Sequence, residues 1–166
     1  GPSGIASFVP EQERNYKIEW AKRMKAEKWI KRNWEYSRAD NRYMDSVGKR
    51  IAACDGIILE LGAGPGGGYM PFVLKANPDA RIIINDLSPT VVSEWKSFLD
   101  KELDSPNIYY AAFDFCEMPF RDHCIDIISD GRRDRKLRGG QGKSPEGSVQ
   151  SVEARRYADY IHGLCE

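Results

Sequence analysis

The sequence predicts an α/β fold: a doubly wound, mostly parallel sheet, cut short at about four strands and preceded by helices. Three observations predict it. Short apolar runs end in acidic residues, a glycine turn leads from the first of them into a second apolar segment, and the stretch ahead of that run carries apolar residues at helical spacing.

Taken in order, Gly1-Pro2-Ser3-Gly4 looks like the scar of a cleaved affinity tag, and residues 1–10 are set aside as a leader. Residues 11–53 are expected to form a helical lid. Tyr16, Trp20 and Met24, then Ile30 and Trp34, recur at helical spacing, and Tyr43, Met44, Val47 and Ile51 make a second stripe. Residues 11–50 hold 12 Lys/Arg against 7 Asp/Glu, with Trp20, Trp29 and Trp34 interleaved. Such a mixture can hold RNA or an acidic substrate, but a helical layer with a charged solvent face is the expected use.

The first strand, Ile57-Ile58-Leu59, runs into residues 60–68, Glu-Leu-Gly-Ala-Gly-Pro-Gly-Gly-Gly, and then Tyr69-Met70-Pro71-Phe72-Val73-Leu74. Strand, glycine turn and helix in that order make a nucleotide-cofactor loop, because glycine permits backbone angles and a close ligand approach that side chains forbid. The glycines alone also fit a dinucleotide fingerprint, Gly62-x-Gly64-x-x-Gly67. Glu60 argues against it: a carboxylate at a strand's end can accept from a cationic amino acid or a hydroxyl but repels a pyrophosphate. Gly66 and Gly68 have the alternative of being plain turn residues.

The second strand, residues 81–86, ends in Asp86, with Ser88 as a helix N-cap and Pro89 in the first turn. Asp86 is thereby expected at the carboxyl edge of a parallel sheet, where it can accept from ribose hydroxyls. The third, residues 107–113, ends in Asp114 and Phe115, which suit an adenine pocket or, more plainly, a strand-end cap and a core ring. The fourth, residues 124–129, ends in Asp130. Asp122 and His123 read as a solvated turn, since one histidine beside acids is no metal site.

Three segments, Leu59-Glu60-Leu61-Gly62-Ala63-Gly64-Pro65-Gly66, Asn85-Asp86-Leu87-Ser88 and the stretch from Asp114 to Ile128, together resemble the class I, Rossmann-like S-adenosylmethionine-dependent methyltransferases over residues 57–130. The resemblance implies S-adenosylmethionine as cofactor. It implies cofactor contacts at Glu60, Gly62, Ala63, Gly64, Gly66 and Leu87, a ribose contact at Asp86, and adenine contacts at Asp114 and Phe115. It further implies that the preceding helices lid the cofactor, which makes Tyr36, Arg38 and Tyr43 candidate contacts. Asp130 borders the expected methyl-transfer site; no general base is named. The domain is therefore assigned to residues 54–130.

Composition narrows the partners little. At 166 residues, 41% hydrophobic and 30% charged, the chain suffices for one domain. Lys plus Arg and Asp plus Glu both number 25, so the overall field favours no polyanion. A small-molecule acceptor is expected, with nucleic acid as the less supported choice. No run approaches the roughly 20 apolar residues of a membrane span, and a cytoplasmic protein is expected. Cys54, Cys116, Cys124 and Cys165 lack Cys-x-x-Cys spacing, which favours reduced thiols over disulfides or zinc.

Residues 131–166 break the pattern. They hold a basic, glycine-rich arm around Arg132, Arg133, Arg135, Lys136 and Arg138, and a short possible helix near Val152, with no strand where the resemblance calls for several. Reading the codons one nucleotide later, with permitted codon choices, turns Lys143 through Cys165 into Lys-Ala-Leu-Lys-Glu-Val-Tyr-Arg-Val-Leu-Lys-Pro-Gly-Gly-Met-Leu-Ile-Thr-Tyr-Met-Gly-Phe-Val. That is an amphipathic helix, a turn and an apolar strand. A one-nucleotide frameshift near Gly131, natural or introduced in cloning, is therefore expected. Without the later strands the fourth would be an open edge, which invites a homo-oligomer. Three function classes follow: a methyltransferase, a cofactor-binding protein without turnover, and, weakened by Glu60, a nicotinamide-dependent oxidoreductase.

Overall fold

The computed structural model describes residues 4–131, the side chains of residues 12–14, 16 and 17 excepted. The basic arm, the short helix near Val152, the alternative reading frame and the role of Cys165 lie outside the described residues.

Aliphatic runs too short for a helix form the expected strands, here β2 (Ile58–Glu60), β3 (Ile82–Asp86), β4 (Ile108–Ala112) and β5 (Ile127–Ser129). All pair in parallel, which explains why β2 and β3 read as near-continuous apolar runs: a parallel sheet is covered on both faces. A fifth strand departs from the expected four. β1 (Ala6–Ser7) adds beside β4, giving the order β1-β4-β3-β2-β5. Phe8 N–H donates to the Ala112 carbonyl at 2.8 Å and Val9 is buried, so part of the segment set aside as a leader is structural. A two-residue strand has no periodicity to detect.

The helices are α1 (Glu11–Arg23), α2 (Ala26–Arg38), α3 (Arg42–Ala52), α4 (Met70–Ala76) and α5 (Pro89–Glu102). Ser88 caps α5 as expected, its Oγ accepting from Val91 N–H at 3.3 Å with Pro89 in the first turn. Asn41 caps α3 likewise through Met44 N–H at 3.2 Å. The apolar stripes hold at Ile30, Trp34, Val47 and Ile51, all buried, whereas Met24 and Tyr43 are 43% and 48% exposed.

Strand alternation divides the core in two. Ile58, Ile82, Ile84 and Tyr110 face a layer that includes Ile30 and Trp34 of α2, Val47 and Ile51 of α3, Val73 of α4 and Trp95 of α5. Leu59, Ala111 and Phe113 face the other way, against Phe115, Met118, Phe120 and Ile125 from the connection between β4 and β5. Phe113 and Phe120 meet edge to face at 5.3 Å. Among the described residues, then, helices back one face of the sheet and an irregular connection backs the other. The helical segment before β2 shares one core with the sheet rather than standing apart from it.

At the opposite end of the sheet from the glycine turn, Asp126 Oδ2 accepts from Ile57 N–H at 2.7 Å, joining residues 69 positions apart. Cys54 and Cys124 carry free thiols. Cys116, exposed on the turn after β4, is disulfide-bonded, contrary to the expectation of reduced thiols. No helix among the described residues is long and apolar enough to cross a membrane.

Candidate cofactor-binding site

The carboxyl ends of β2, β3 and β5 converge on residues 60–68. Register alone sets the first pair: Glu60 stands opposite Ser129 across the β2–β5 ladder. The Glu60 side chain is fully buried. Its Oε2 accepts from Ser129 Oγ at 2.5 Å, while Oε1 has no hydrogen-bond partner. Burial is the main reason its carboxyl titrates at about 8 instead of the ordinary 4.5. The Ser129 hydrogen bond and the backbone N–H of Tyr69 oppose the rise, the negative charge of Asp130 adds to it, and the Gly131 N–H opposes it weakly. None of these closes a hydrogen bond to Oε1.

Asp86, one strand over, is held differently. Its Oδ2 accepts from Gly64 N–H at 2.9 Å and its Oδ1 from Ser88 N–H at 2.8 Å. The acid thus ties the glycine turn to the cap of α5.

Asn85 supplies what the sequence reading overlooked. Buried at 2% exposure, it accepts from Gly62 N–H at 3.2 Å and donates to the carbonyls of Ala111 and Phe113 at 3.3 and 3.1 Å. A polar residue at the end of an otherwise aliphatic strand was the available signal. Trp95 Nε1–H donates to the Gly64 carbonyl at 2.7 Å, and Asn33 Nδ2 to the Pro65 carbonyl at 3.2 Å. The turn is therefore gripped from α5 on one side and α2 on the other.

The glycines divide by task. Gly64 has φ +54°, and an added Cβ there would make only ordinary contacts, the nearest at 3.9 Å, so what favours glycine is the left-handed backbone. At Gly68 (φ +55°) an added Cβ would lie 1.8 Å from Glu60 Oε1. Gly66, expected to contact the cofactor, has no left-handed angle and no close neighbour.

The remaining candidates sit as follows. Ala63 is buried, its N–H donating to the Asn85 carbonyl at 2.8 Å, and Leu87 packs against the helical layer. Asp114 caps the short 3-10 turn Phe115–Glu117 by accepting from Cys116 N–H at 2.9 Å. Phe115 packs into the second core cluster. Tyr36 is 57% exposed, its hydroxyl accepting from Asn41 Nδ2 and its ring edge-on to Phe72 at 6.4 Å. Arg38 stacks 3.8 Å over Trp34 and donates to the Pro71 carbonyl at 3.2 Å; burial depresses its pKa, and Glu102 partly offsets this. Asp130 ends the strand beside Glu60 and acts on it through its charge. Asp122 and His123 lie on an exposed turn, and no acid, histidine and cysteine cluster fit for a metal occurs among the described residues.

No protein-family model and no curated protein matches the chain. Solved structures do match, at low identity and over part of their length. A protein from Methanococcus maripaludis provisionally described as an S-adenosyl-L-methionine-dependent methyltransferase is 21% identical, over 66% of this chain and 48% of that one, with a TM-score of 0.49. Geranyl diphosphate C-methyltransferase from Streptomyces coelicolor, solved with S-adenosyl-L-homocysteine, is 12% identical over 52% and 32%, TM-score 0.43. The cyclase SpnF is 17% identical over 61% and 43%, TM-score 0.41. The match thus spans less than half the length of each of these neighbours. Most of these neighbours are described as methyltransferases, and one as a cyclase.

Proposed function

We propose that this domain binds S-adenosylmethionine and serves methyl transfer to a small-molecule acceptor. The observation that carries the reading is Glu60: a fully buried carboxyl at the end of β2, beneath a glycine turn, with one oxygen unpartnered. Burying a polar atom without a partner is costly, and a ligand ammonium group would remove that cost. A pyrophosphate would add to it. Asp86, bonded to the same turn through Gly64 N–H, is the acid we assign to the ribose hydroxyls.

Bound S-adenosylmethionine supplies an electrophilic methyl group on a sulfonium centre. The chain's part is to hold it. In-line displacement gains most from alignment of donor and acceptor, for which orientation contributes roughly 7–11 kcal/mol at best. Residues 60–68, anchored by Asp86, Asn85, Trp95 and Asn33, are suited to that holding role.

The small-molecule acceptor is favoured over nucleic acid by how the basic residues of the first helices are used. Lys22 and Lys31 pair with Glu19 and Glu35, Arg32 lies over Trp29 and Arg38 over Trp34. These local partners fit a solvated helical face. We also expect a cytoplasmic homo-oligomer, since β5 is an edge strand among the described residues. Light scattering tests the association: a monomer at working concentration removes it.

Calorimetry with S-adenosylmethionine, S-adenosylhomocysteine and NADH tests the cofactor. The adenosyl compounds should bind and NADH should not; the reverse order moves the chain to the oxidoreductases. Single-turnover assays with labelled S-adenosylmethionine then separate a transferase from a protein that binds without turnover.

A further inference from the structure

We infer that cofactor binding here is an exchange of cations: the ligand's α-ammonium enters against Glu60 as the Glu60 proton leaves to solvent. The inference rests on the proposed function and adds a proton to it.

Geometry carries it. Glu60 is enclosed by Ser129 from β5, the Gly68–Tyr69 backbone at the start of α4, and the Asp130–Gly131 backbone beyond β5. Ser129 contributes a hydroxyl, the backbones contribute N–H dipoles, and Asp130 contributes a second negative charge. Among the described residues no Lys or Arg acts on it, so these residues supply no cation to balance an ionised Glu60. A group in that position keeps its proton near neutral pH, in line with its titration near 8. The carboxyl O–H bond breaks to give a carboxylate and a solvated proton. Oε1, which lacks a partner in the protein, then accepts from the ligand N–H.

The consequence is that affinity for an ammonium-bearing ligand rises with pH up to the titration of Glu60, although the ligand's own charge does not change over that range. A ligand without the amine gains nothing from it.

The test is calorimetric titration of the chain with S-adenosylhomocysteine at pH 7 in phosphate and in Tris, buffers of small and large ionisation enthalpy. The expected result is a buffer-dependent heat equivalent to nearly one proton released per ligand bound. The analogue lacking the α-amino group should bind more weakly with equal heats in the two buffers. Glu60→Gln should bind S-adenosylhomocysteine roughly tenfold or more weakly, as loss of a charged hydrogen bond entails, and also with equal heats. Binding of S-adenosylhomocysteine to the unaltered chain with equal heats in both buffers overturns the exchange and leaves the cofactor assignment standing. Absence of binding in either buffer overturns both.

Discussion

At the carboxyl ends of β2 and β3 two acids stand on adjacent strands in unlike surroundings. Asp86 gives each oxygen to a backbone N–H, one from the glycine turn and one from the cap of α5. Glu60 is buried completely, shares one oxygen with Ser129 and leaves the other without a partner. The first arrangement serves the shape of the turn; the second leaves a polar atom buried without a partner. Position in the fold is shared, so the difference comes from neighbours: two backbone N–H groups bonded to Asp86, and a hydroxyl, a closed backbone and another acid beside Glu60.

The largest effect expected from this contrast is on stability against pH. Folded Glu60 keeps its proton to about pH 8, whereas the ordinary value is 4.5. Between those values the folded state holds the extra proton, so raising the pH through the window favours unfolding. At about 1.4 kcal/mol per unit, the full window is worth on the order of 4–5 kcal/mol. Denaturant titrations of the chain and of Glu60→Gln from pH 5 to 8.5 should diverge steadily; parallel curves would place the free carboxyl in solvent. Gly68→Ala comes next. Its Cβ would lie 1.8 Å from Oε1 in a left-handed backbone, a combination of strain and overpacking worth roughly 3 kcal/mol. Gly66→Ala should stay within about 0.5 kcal/mol, and equal losses at the two positions would mean the turn is loose.

Asp86→Ala sharpens the other half of the comparison. It should weaken S-adenosylhomocysteine binding by about 1.5–3 kcal/mol, and unchanged affinity by calorimetry removes Asp86 from the site. The smallest effect is expected at Asn33→Ala, where one neutral hydrogen bond to the Pro65 carbonyl is lost. About 0.5–1.5 kcal/mol of affinity should go with it; a fall in thermal stability with unaltered affinity would confine α2 to packing.

Much of this was legible in the sequence because it rests on local chemistry. Aliphatic runs, the Ser88-Pro89 cap, and the acids ending β2 and β3 announce themselves within a few residues. What was missed depends on distant partners. Asn85 matters only because Gly62, Ala111 and Phe113 surround it, and Gly68 only because Glu60 lies behind it. β1 is visible only once β4 is there to pair with, and Asp114 and Phe115 offered two uses between which sequence could not choose.

The order of strands also sets an order of assembly. β2, β3 and β4 follow one another with a single helix between neighbours, so the centre of the sheet can form from short chain closures. The edges cannot: Ile57 must find Asp126 across 69 positions, and Ala6 must find Ala111. Closure entropy grows with the logarithm of the intervening length. β5 and β1 should therefore join last and open first, with backbone amides exchanging there ahead of those in β3. Since Ser129 belongs to β5, every such opening also lifts the cover from Glu60. Opening of β5, an edge among the described residues, would then be the step that brings that carboxyl to solvent.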